Sequence, residues 1–393
     1  MKRRNIIFHL LRPLATAPAV AALIMALVPA LHAATLIVTN TADTGPGSLR
    51  TTLASAASGD LINFTNTLSG QTILLTNGLI TLANTVTIDA SSLSGGIRIN
   101  GYTNSGIFRA NAGTVVLNAL ALTITNGSAY GVYRPAGSGT LTLNQCSLSG
   151  TAFNVIFNDG TLTLNQCTVS GVVGLGIFNR SGTMAVNQCT LFGNSGGGIL
   201  NDAALAVNQC TVSGNTGNGI YNRSGTLTLS NSIVAGNSGQ NLLGSFTSSG
   251  ANLTNGTPLL ALLGNYGGPT QTMPPLPGSP AIDAATSGTS FATDQRGYPR
   301  IVGAFADLGA VEGVFNPAMT LTNITKLGNG SFQFGFANLS GPAYTVLAST
   351  NVAAPSDTWF NLGPAVEAPP GTFQFTDPQA TNYPQRFYRV RSP

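Results

Sequence analysis

One line of sequence recurs four times in this chain. TLTLNQC begins at Thr140 and again at Thr161, TMAVNQC begins at Thr183, and ALAVNQC begins at Ala204. The cysteines that end these lines fall 21, 22 and 21 residues apart. A repeat of this length is too short for two packed helices, whereas its alternating aliphatic and small polar residues fit one turn of a parallel β-solenoid.

Each repeat divides into three short strands. In the repeat that begins at Thr161, Leu162 and Leu164 alternate with threonines, an Asn-Gln corner follows, and a second alternating segment begins at Cys167. A third segment ends at Asn179, before a turn. Three strands per turn, each with a period of two, predict an all-β, three-sided parallel β-helix in which equivalent residues stack about 4.8 Å apart.

This stacking predicts columns of equivalent side chains. The two expected apolar interior columns are Leu141, Leu162, Met184, Leu205 and Leu227, and Val132, Ile156, Ile177, Ile199 and Ile220. An amide column at the end of the third strand is expected to hydrogen-bond along the stack, and it contains Asn158, Asn179, Asn201 and Asn222.

The four cysteines Cys146, Cys167, Cys189 and Cys210 occupy one equivalent position. We predict an interior column of free thiols, because parallel neighbours point the same way and suit disulfide geometry poorly. Disulfides from Cys146 to Cys167 and from Cys189 to Cys210 are the alternative. A metal site is disfavoured, since a single-file row cannot surround an ion tetrahedrally.

The whole chain divides into five predicted segments. Basic residues followed by an apolar stretch and small residues predict a cleaved signal peptide, with an uncleaved membrane anchor as the alternative. Gly47 and Ser48 introduce a short helix, with Ser48 as its N-cap. The segments are a signal peptide (1–33), an N-terminal cap with this helix (34–61), the β-helix (62–255), a C-terminal cap (256–315) and a small β-sandwich (316–393).

Charge and histidine content exclude some functions. Four of the sixteen basic residues lie in the predicted signal peptide, which leaves twelve against twelve acidic residues. A formally neutral chain has no electrostatic footprint for nucleic acid. Both histidines, His9 and His32, also lie in the signal peptide. The mature protein therefore cannot use Ser-His-Asp or Cys-His catalysis.

The glycine-rich third strands resemble those of a known superfamily. GLGIFN at Gly174, GGGIL at Gly196 and GNGIYN at Gly217 are similar to the repeats of polymorphic outer-membrane proteins, within the pectate-lyase-like right-handed parallel β-helix superfamily. The segment from Leu262 to Glu312 resembles the choice-of-anchor Q segment that closes many such proteins, and the C-terminal strands resemble an immunoglobulin-like or fibronectin-like module. This resemblance implies a right-handed helix and an extracellular or cell-surface location.

A mostly aromatic column directly precedes the asparagines. Strict alternation predicts that it faces outward, beside Arg109 and Arg134, and we expect it to bind sugar rings, which stack on aromatic faces. A covered, structural column is the alternative. The column contains Phe108, Tyr133, Phe157, Phe178, Leu200 and Tyr221. The predicted ligand-binding residues are Tyr133, Phe157, Phe178, Tyr221, Arg109 and Arg134.

A charged column directly follows the asparagines. Asp159, Arg180, Asp202 and Arg223 alternate in sign, so that each can neutralise its neighbour in the stack. Alternatively, Asp159 and Asp202 are two coils apart, about 9.6 Å at the strand spacing. That separation is at the upper end of the range for the carboxylates of an inverting glycosidase.

The predicted function is that of an exported bacterial surface or secreted β-helix protein, adhesin-like, glycan-binding or structural, without catalysis, cofactor or metal. The alternative is a polysaccharide lyase or glycoside hydrolase that uses Asp159, Asp202, Arg180 and Arg223, with calcium as a cofactor only in the lyase case. The expected partner is an extracellular polysaccharide or a cell-envelope component. We expect no nucleic acid partner and no transmembrane segment after signal removal, and the sequence indicates no particular oligomeric state.

Overall fold

The computed structural model describes residues 33–102, 106–111, 113–125, 130–150, 154–286, 291–313, 320–338, 344–355, 358–369 and 372–391. The predicted signal peptide, apart from its last residue, lies outside these residues. Within the described ranges, no helix is long and apolar enough to cross a membrane.

The chain winds into a parallel β-solenoid of about nine turns, as the repeat predicts. Each turn contributes one strand to each of three parallel sheets, called here A, B and C. Sheet A contains β1 (Thr35–Val38), β2 (Leu61–Phe64), β5 (Val86–Asp89), β8 (Val115–Asn118), β11 (Thr140–Asn144), β14 (Thr161–Asn165), β17 (Thr183–Asn187), β20 (Ala204–Asn208), β23 (Thr226–Ser230) and β26 (Thr247–Ser249). Sheet B contains β3 (Thr72–Leu75), β6 (Ile97–Tyr102), β9 (Leu120–Thr125), β12 (Ser147–Gly150), β15 (Thr168–Val172), β18 (Thr190–Phe192), β21 (Thr211–Ser213) and β24 (Ile233–Val234). Sheet C contains β4 (Ile80–Leu82), β7 (Phe108–Ala110), β10 (Val132–Arg134), β13 (Asn154–Asn158), β16 (Leu175–Asn179), β19 (Gly197–Asn201), β22 (Ile220–Asn222) and β25 (Leu242–Leu243).

The strand register confirms the predicted interior columns. Leu141 pairs with Leu162, and Leu162 pairs with Met184, each one coil further along. Ile156 and Ile177 pair in the same way in sheet C. All five side chains are buried, so the aliphatic half of each alternating strand fills one continuous core.

The cysteines form the predicted interior column of free thiols. Cys146, Cys167, Cys189 and Cys210 are 0% exposed and unpaired as disulfides. Their thiols donate to backbone carbonyls; Cys146 Sγ, for example, lies 3.3 Å from the Asn144 carbonyl oxygen. Burial raises the pKa of the Cys146 thiol well above its usual value, which favours the neutral form.

The corner between sheets A and B turns in few residues because a glutamine adopts the left-handed conformation in each coil. Gln166 has a φ of 55°, and Gln145, Gln188 and Gln209 have similar values. The preceding asparagines form an amide ladder, in which Asn165 Nδ2 donates to Asn144 Oδ1 at 2.8 Å. This ladder compensates for the conformational cost of the corner with stacked hydrogen bonds.

The predicted short helix is present near the first coil. It is α1 (Leu49–Ser55), and Ser48 Oγ accepts a hydrogen bond from the Thr51 backbone N–H, as expected of an N-cap. Leu49 is fully buried in the solenoid core, and Ala56 beyond the helix is buried with it. The helix therefore packs against the interior of the first coils.

The C-terminal strands form two antiparallel sheets with a shared core, as predicted for a small sandwich. Phe334, Phe336 and Phe373 of one sheet pack with Val346 of the other. One sheet contains β27 (Thr322–Lys326), β28 (Phe332–Ala337), β31 (Val366–Glu367) and β32 (Thr372–Asp377). The other contains β29 (Thr345–Ser349), β30 (Phe360–Pro364) and β33 (Phe387–Arg391).

Residues 262–286 and 291–312, called together the strap, contact the outer face of sheet B. Gln295 is fully buried there: its Oε1 accepts from Thr190 Oγ1 at 2.6 Å, and its Nε2 donates to Thr168 Oγ1 at 2.9 Å. Gln166 Nε2 donates to the Asp294 carbonyl at 2.8 Å. The sequence indicated a C-terminal cap here but not this lateral contact.

The acidic and basic residues of the strap form a buried network, as expected for a salt-bridged structural element. Arg296 Nη2 pairs with Asp294 Oδ2 at 2.7 Å, and Arg300 Nη2 donates to the carbonyls of Asp307 and Gly309. Glu312 accepts from the backbone N–H groups of Val302 and Asp307. These bonds hold a segment that has little regular secondary structure of its own.

Candidate ligand-binding site

The outer face of sheet C carries a continuous column of large side chains, called here the stripe. Successive strands align Arg109, Tyr133, Phe157, Phe178, Leu200 and Tyr221. The prediction was wrong by one residue at the start of this column. Phe108 pairs with Val132 and is buried in the interior, so the exposed Arg109 begins the stripe.

Arg134 does not lie on the stripe, contrary to the prediction. It pairs in register with Asn158, at the head of the asparagine column, and is 0% exposed. Its Nη1 donates to the Ala110 carbonyl at 2.7 Å, and its Nη2 donates to the carbonyls of Ser138 and Gly139. Arg134 therefore bonds the backbone carbonyls of the turn, as the asparagines do in later coils. Because its side chain is buried, it cannot contact a ligand.

Phe157 faces outward in the register but is only 3% exposed. Tyr130 stacks on it with ring centroids 4.2 Å apart, and the edges of Tyr133 and Phe178 contact it at 5.3 and 5.2 Å. The Arg180 guanidinium lies 4.8 Å above its ring. Phe157 is thus the covered base of the stripe, and Tyr130, which the sequence analysis missed, is one of its covers.

The remaining rings of the stripe are accessible at one side. Tyr133, Phe178 and Tyr221 are each half-buried. Arg109 lies 5.4 Å from the ring centre of Tyr133, and Arg223 lies 5.9 Å from that of Phe178. Partly open aromatic rings of the stripe therefore lie beside cationic groups.

Asp159 is the most heavily bonded side chain beside the stripe. Arg180 binds it bidentately, with Nε 2.7 Å from Oδ1 and Nη2 2.5 Å from Oδ2. Tyr133 Oη donates to Oδ2 at 2.9 Å, and Ser181 Oγ lies 3.2 Å from Oδ1. The Asp159 side chain is only 4% exposed, whereas Arg180 is 55% exposed.

These contacts fix the charges of the group. Burial opposes ionisation of Asp159, but the hydrogen bonds from Arg180 and Tyr133 outweigh it, and the pKa of Asp159 is lowered. The hydrogen bond that Arg180 donates to Asp159 raises the pKa of Arg180. Burial, followed by the Asp159 carboxylate, raises the pKa of Tyr133. Asp159 is therefore a carboxylate, Arg180 is a cation, and Tyr133 is a neutral phenol at neutral pH.

The same arrangement recurs two coils later. Arg223 Nε donates to Asp202 Oδ1 at 2.8 Å, and its Nη2 pairs with Oδ2. The hydrogen bond to Asp202 raises the pKa of Arg223. Each arginine thus binds the aspartate of the preceding coil, and the charged column resolves into two separate ion pairs.

This geometry limits what the charged residues can do chemically. A carboxylate with a lowered pKa and both oxygens bonded is a poor proton donor, and Asp159 fits that description. A guanidinium with a raised pKa is a poor proton acceptor, which applies to Arg180 and Arg223. Across the part of the chain that the structure describes, no group of three or more His, Cys, Asp or Glu residues is placed to hold a metal ion.

No protein-family model and no curated protein matches the sequence. Among solved structures, the chain is similar to the crystal structure of pectate lyase Pel9A, with a TM-score of 0.40 and 12% sequence identity. The alignment covers 71% of this chain and 96% of that chain. The class that the coordinates define is a parallel β-helix protein.

Proposed function

We propose that this chain is an exported β-helix protein, secreted or held at the cell surface, that binds an extracellular glycan without cleaving it. The ligand-binding surface is the outer face of sheet C. One observation carries this proposal: the half-buried rings of the stripe lie beside exposed guanidinium groups. The rings are those of Tyr133, Phe178 and Tyr221, and the guanidinium groups are those of Arg109, Arg180 and Arg223.

The chemistry of a sugar matches both components. A sugar ring presents C–H groups that stack on aromatic faces, and Tyr133, Phe178 and Tyr221 offer such faces. Its hydroxyls need hydrogen-bond donors. Arg180 uses Nε and Nη2 for Asp159, while its Nη1 has no partner recorded among the described residues. Arg223, which is 52% exposed, is bonded in the same way.

The ion pairs support binding over catalysis. In the alternative, Asp159 and Asp202 would share a substrate as acid and base, yet each is bound by its own arginine. Breaking the first pair to free a catalytic group would leave the nearly buried Asp159 carboxylate unpaired beside the covered ring of Phe157, which is costly. Held as they are, the pairs fix the guanidinium groups over the rings.

The export half of the proposal rests on the sequence. The basic and apolar start of the chain has the layout of a signal peptide. The resemblance of the strap to a choice-of-anchor Q segment, and of the C-terminal sandwich to an immunoglobulin-like module, fits an adhesin-like surface protein. The partner would then be a polysaccharide or another component of the cell envelope.

Binding to an array of extracellular glycans tests this proposal. We expect Phe178→Ala and Tyr221→Ala each to weaken binding of the best glycan about tenfold, because each removes one stacking face worth about 1.5 kcal/mol. Phe246→Ala is the matched control, since Phe246 is 42% exposed outside the stripe. No glycan binding, or equal loss in the control, would contradict the proposal.

An activity assay addresses the enzymatic alternative directly. Wild-type protein and Asp159→Asn are incubated with uronic-acid and neutral polysaccharides, with and without calcium. The proposal expects no unsaturated or reducing ends from either protein. Ends that the wild type releases and the variant does not would establish a lyase or hydrolase.

A further inference from the structure

The outer column of sheet B is covered along only part of its length. Strand register aligns Thr72, Arg98, Ala121, Ser147, Thr168, Thr190, Thr211 and Ile233 in this column. The last four are buried beneath the strap, with exposed fractions of at most 2%. The first four residues of the column precede Thr168, which is the first residue of the column that the strap covers.

A cavity of about 650 Å³ occupies this uncovered part. Arg98, Ala121 and Ser147 contribute its floor, and Ala121 and Ser147 are small enough to leave the space open. Ser91 and residues 93–96 line one side, and Asn265 and residues 267–269 of the strap line the other. The volume lies within the range of about 300–1,000 Å³ that is typical of small-ligand sites.

The strap side of the cavity is fixed by two glycines. Gly267 and Gly268 have φ values of 90° and 77°, in the left-handed region that other residues rarely adopt. A Cβ at Gly267 would clash with the Tyr298 hydroxyl, and one at Gly268 would lie 2.5 Å from the Arg296 backbone. The turn at Gly267 and Gly268, which lies where the strap stops covering sheet B, therefore requires glycine at both positions.

The lining combines polar and apolar groups, and among the described residues its one charged side chain is that of Arg98. Arg98 is exposed, and the described part of the chain provides no hydrogen bond or ion pair for its guanidinium. The other polar side chains of the lining are the amides of Gln71, Gln145 and Asn265 and the hydroxyls of Ser91, Ser94 and Ser147. Asp89, just before the loop, accepts a hydrogen bond from the Ser91 N–H at 2.9 Å.

These groups favour one kind of ligand. An unpaired guanidinium matches a carboxylate or a sulfate, and the surrounding amides and hydroxyls match sugar hydroxyls. A peptide strand needs a free sheet edge, but this floor is a sheet face whose strands are already paired. Single-stranded nucleic acid needs aromatic stacking platforms, and no aromatic side chain is among the described residues that line the cavity.

We propose that this cavity binds a short segment of an anionic glycan, with Arg98 contacting a carboxylate or sulfate on one sugar ring. The site lies on sheet B and uses no residue of the stripe. It is therefore independent of the function proposed for sheet C.

Calorimetric titration with three oligosaccharides of equal length tests the proposal: an oligouronate, a sulfated oligosaccharide and a neutral one. We expect one or both anionic ligands to bind at least about tenfold more tightly than the neutral ligand, since a charge-assisted hydrogen bond contributes about 1.5–3 kcal/mol. The ligand that binds more tightly identifies the anionic group as a carboxylate or a sulfate.

Variants assign the binding to this cavity. Arg98→Ala is expected to weaken the anionic ligand about tenfold, and Arg98→Lys to weaken it less, because lysine keeps the charge but loses the planar fork. Arg391→Ala removes the same charge from an exposed position on β33 and should change nothing. Ala121→Trp fills the floor and should abolish binding, with an unchanged circular dichroism spectrum and melting temperature showing that the protein is folded.

Three results would overturn the proposal: equal affinity for neutral and anionic ligands, unchanged affinity in Arg98→Ala, or no binding of any of the three oligosaccharides. Phe178→Ala separates this site from the stripe. It should leave binding of the anionic ligand intact even if it abolishes binding to the glycan array.

Discussion

Sheets B and C are built from the same repeat, yet their outer faces differ. The outer threonines of sheet B are buried under the strap, with Thr168, Thr190 and Thr211 each at most 2% exposed. The stripe of sheet C stays half-open, and only Phe157 is fully covered. One face is used to bind another part of the same chain, and the other remains available to a ligand.

The difference lies in where the corner amides direct their hydrogen bonds. At the end of sheet C, Asn158 Nδ2 donates to Asn179 Oδ1 at 2.8 Å, and Asn179 bonds to Asn201 in turn. This confirms the predicted ladder, in which the amides satisfy one another. Beside sheet B, Gln166 and Gln188 instead donate to strap carbonyls. The strap binds sheet B because glutamine amides at the edge of this sheet have N–H groups available to donate to it.

Replacing Gln295 should have the largest effect on stability, because it removes hydrogen bonds that hold the strap on sheet B. Gln295→Ala leaves the buried Thr190 hydroxyl without its acceptor and removes the amide that donates to Thr168, and we expect a loss of about 3 kcal/mol in the free energy of unfolding. Urea denaturation measures this loss, and hydrogen exchange shows whether the strap opens first.

Gln271→Ala is the matched control, because the Gln271 side chain is exposed and only its backbone carbonyl contacts Thr168. It should cost less than about 0.5 kcal/mol. Equal losses in the two variants would show that the strap is not held by side-chain hydrogen bonds to sheet B.

A smaller effect is expected on the open face. Asp159→Asn removes a nearly buried carboxylate from Arg180 and Tyr133, and should cost about 1–2 kcal/mol. Asp202→Asn, whose carboxylate is 13% exposed, should cost less than about 1 kcal/mol. Urea denaturation of both variants at neutral pH measures the free energy of unfolding and so compares the two ion pairs.

The pH dependence gives a second check on Asp159. Its folded-state pKa is lowered, so its stabilising contribution is present above the ordinary value of 3.8 and is lost as the pH falls through the folded-state value. The gap between wild type and Asp159→Asn should therefore narrow in acid. A gap independent of pH would mean that the ion pair contributes nothing.

The smallest expected effect on stability comes from the ionisation of Glu312 within the strap. Burial raises the pKa of Glu312 from 4.5 to about 7, with Asp307 adding to the shift. Between these values the folded protein keeps a proton that the unfolded chain has released, so stability falls as the pH rises from about 4.5 to 7. Glu312→Gln does not titrate at this position.

The melting temperature of Glu312→Gln, relative to wild type, should therefore increase by roughly 1–2 °C between pH 5 and pH 8. A constant offset is expected in addition, because glutamine accepts only one of the two backbone hydrogen bonds. A relative melting temperature that decreases with pH would show that Glu312 is ionised in the folded protein at pH 5.

The sequence predicted the regular coils better than the irregular ones. From Cys146 to Cys210 the repeat length is almost constant, so equivalent residues could be matched letter by letter. Earlier coils are longer: Phe108 pairs with Val132, 24 residues later, and the sequence match by aromatic type placed it one residue out of register. That one-residue slip moved Phe108 to the other face. Arg134 was misplaced for another reason: Tyr133 was in the correct register, and alternation turns the next residue inward, at the asparagine position.

The candidate sites were less predictable than the fold. Tyr133, Phe178 and Tyr221 were found by alternation, but the cover over Phe157 comes from Tyr130, which lies outside the strand. The cavity at Arg98 was not predicted at all. Its strap side belongs to Asn265 and residues 267–269, more than 160 positions along the chain, and no local pattern links the two segments.

By itself, the sequence determined the winding of this protein, because a period of two within strands and a repeat of about 21 residues leave one way to bury every aliphatic side chain. It also determined the columns of cysteine and asparagine that follow from that winding. Only the tertiary structure decided which outer faces are covered. That depends on unused hydrogen bonds at the corners and on a strap from elsewhere in the chain, and neither has a periodic signature.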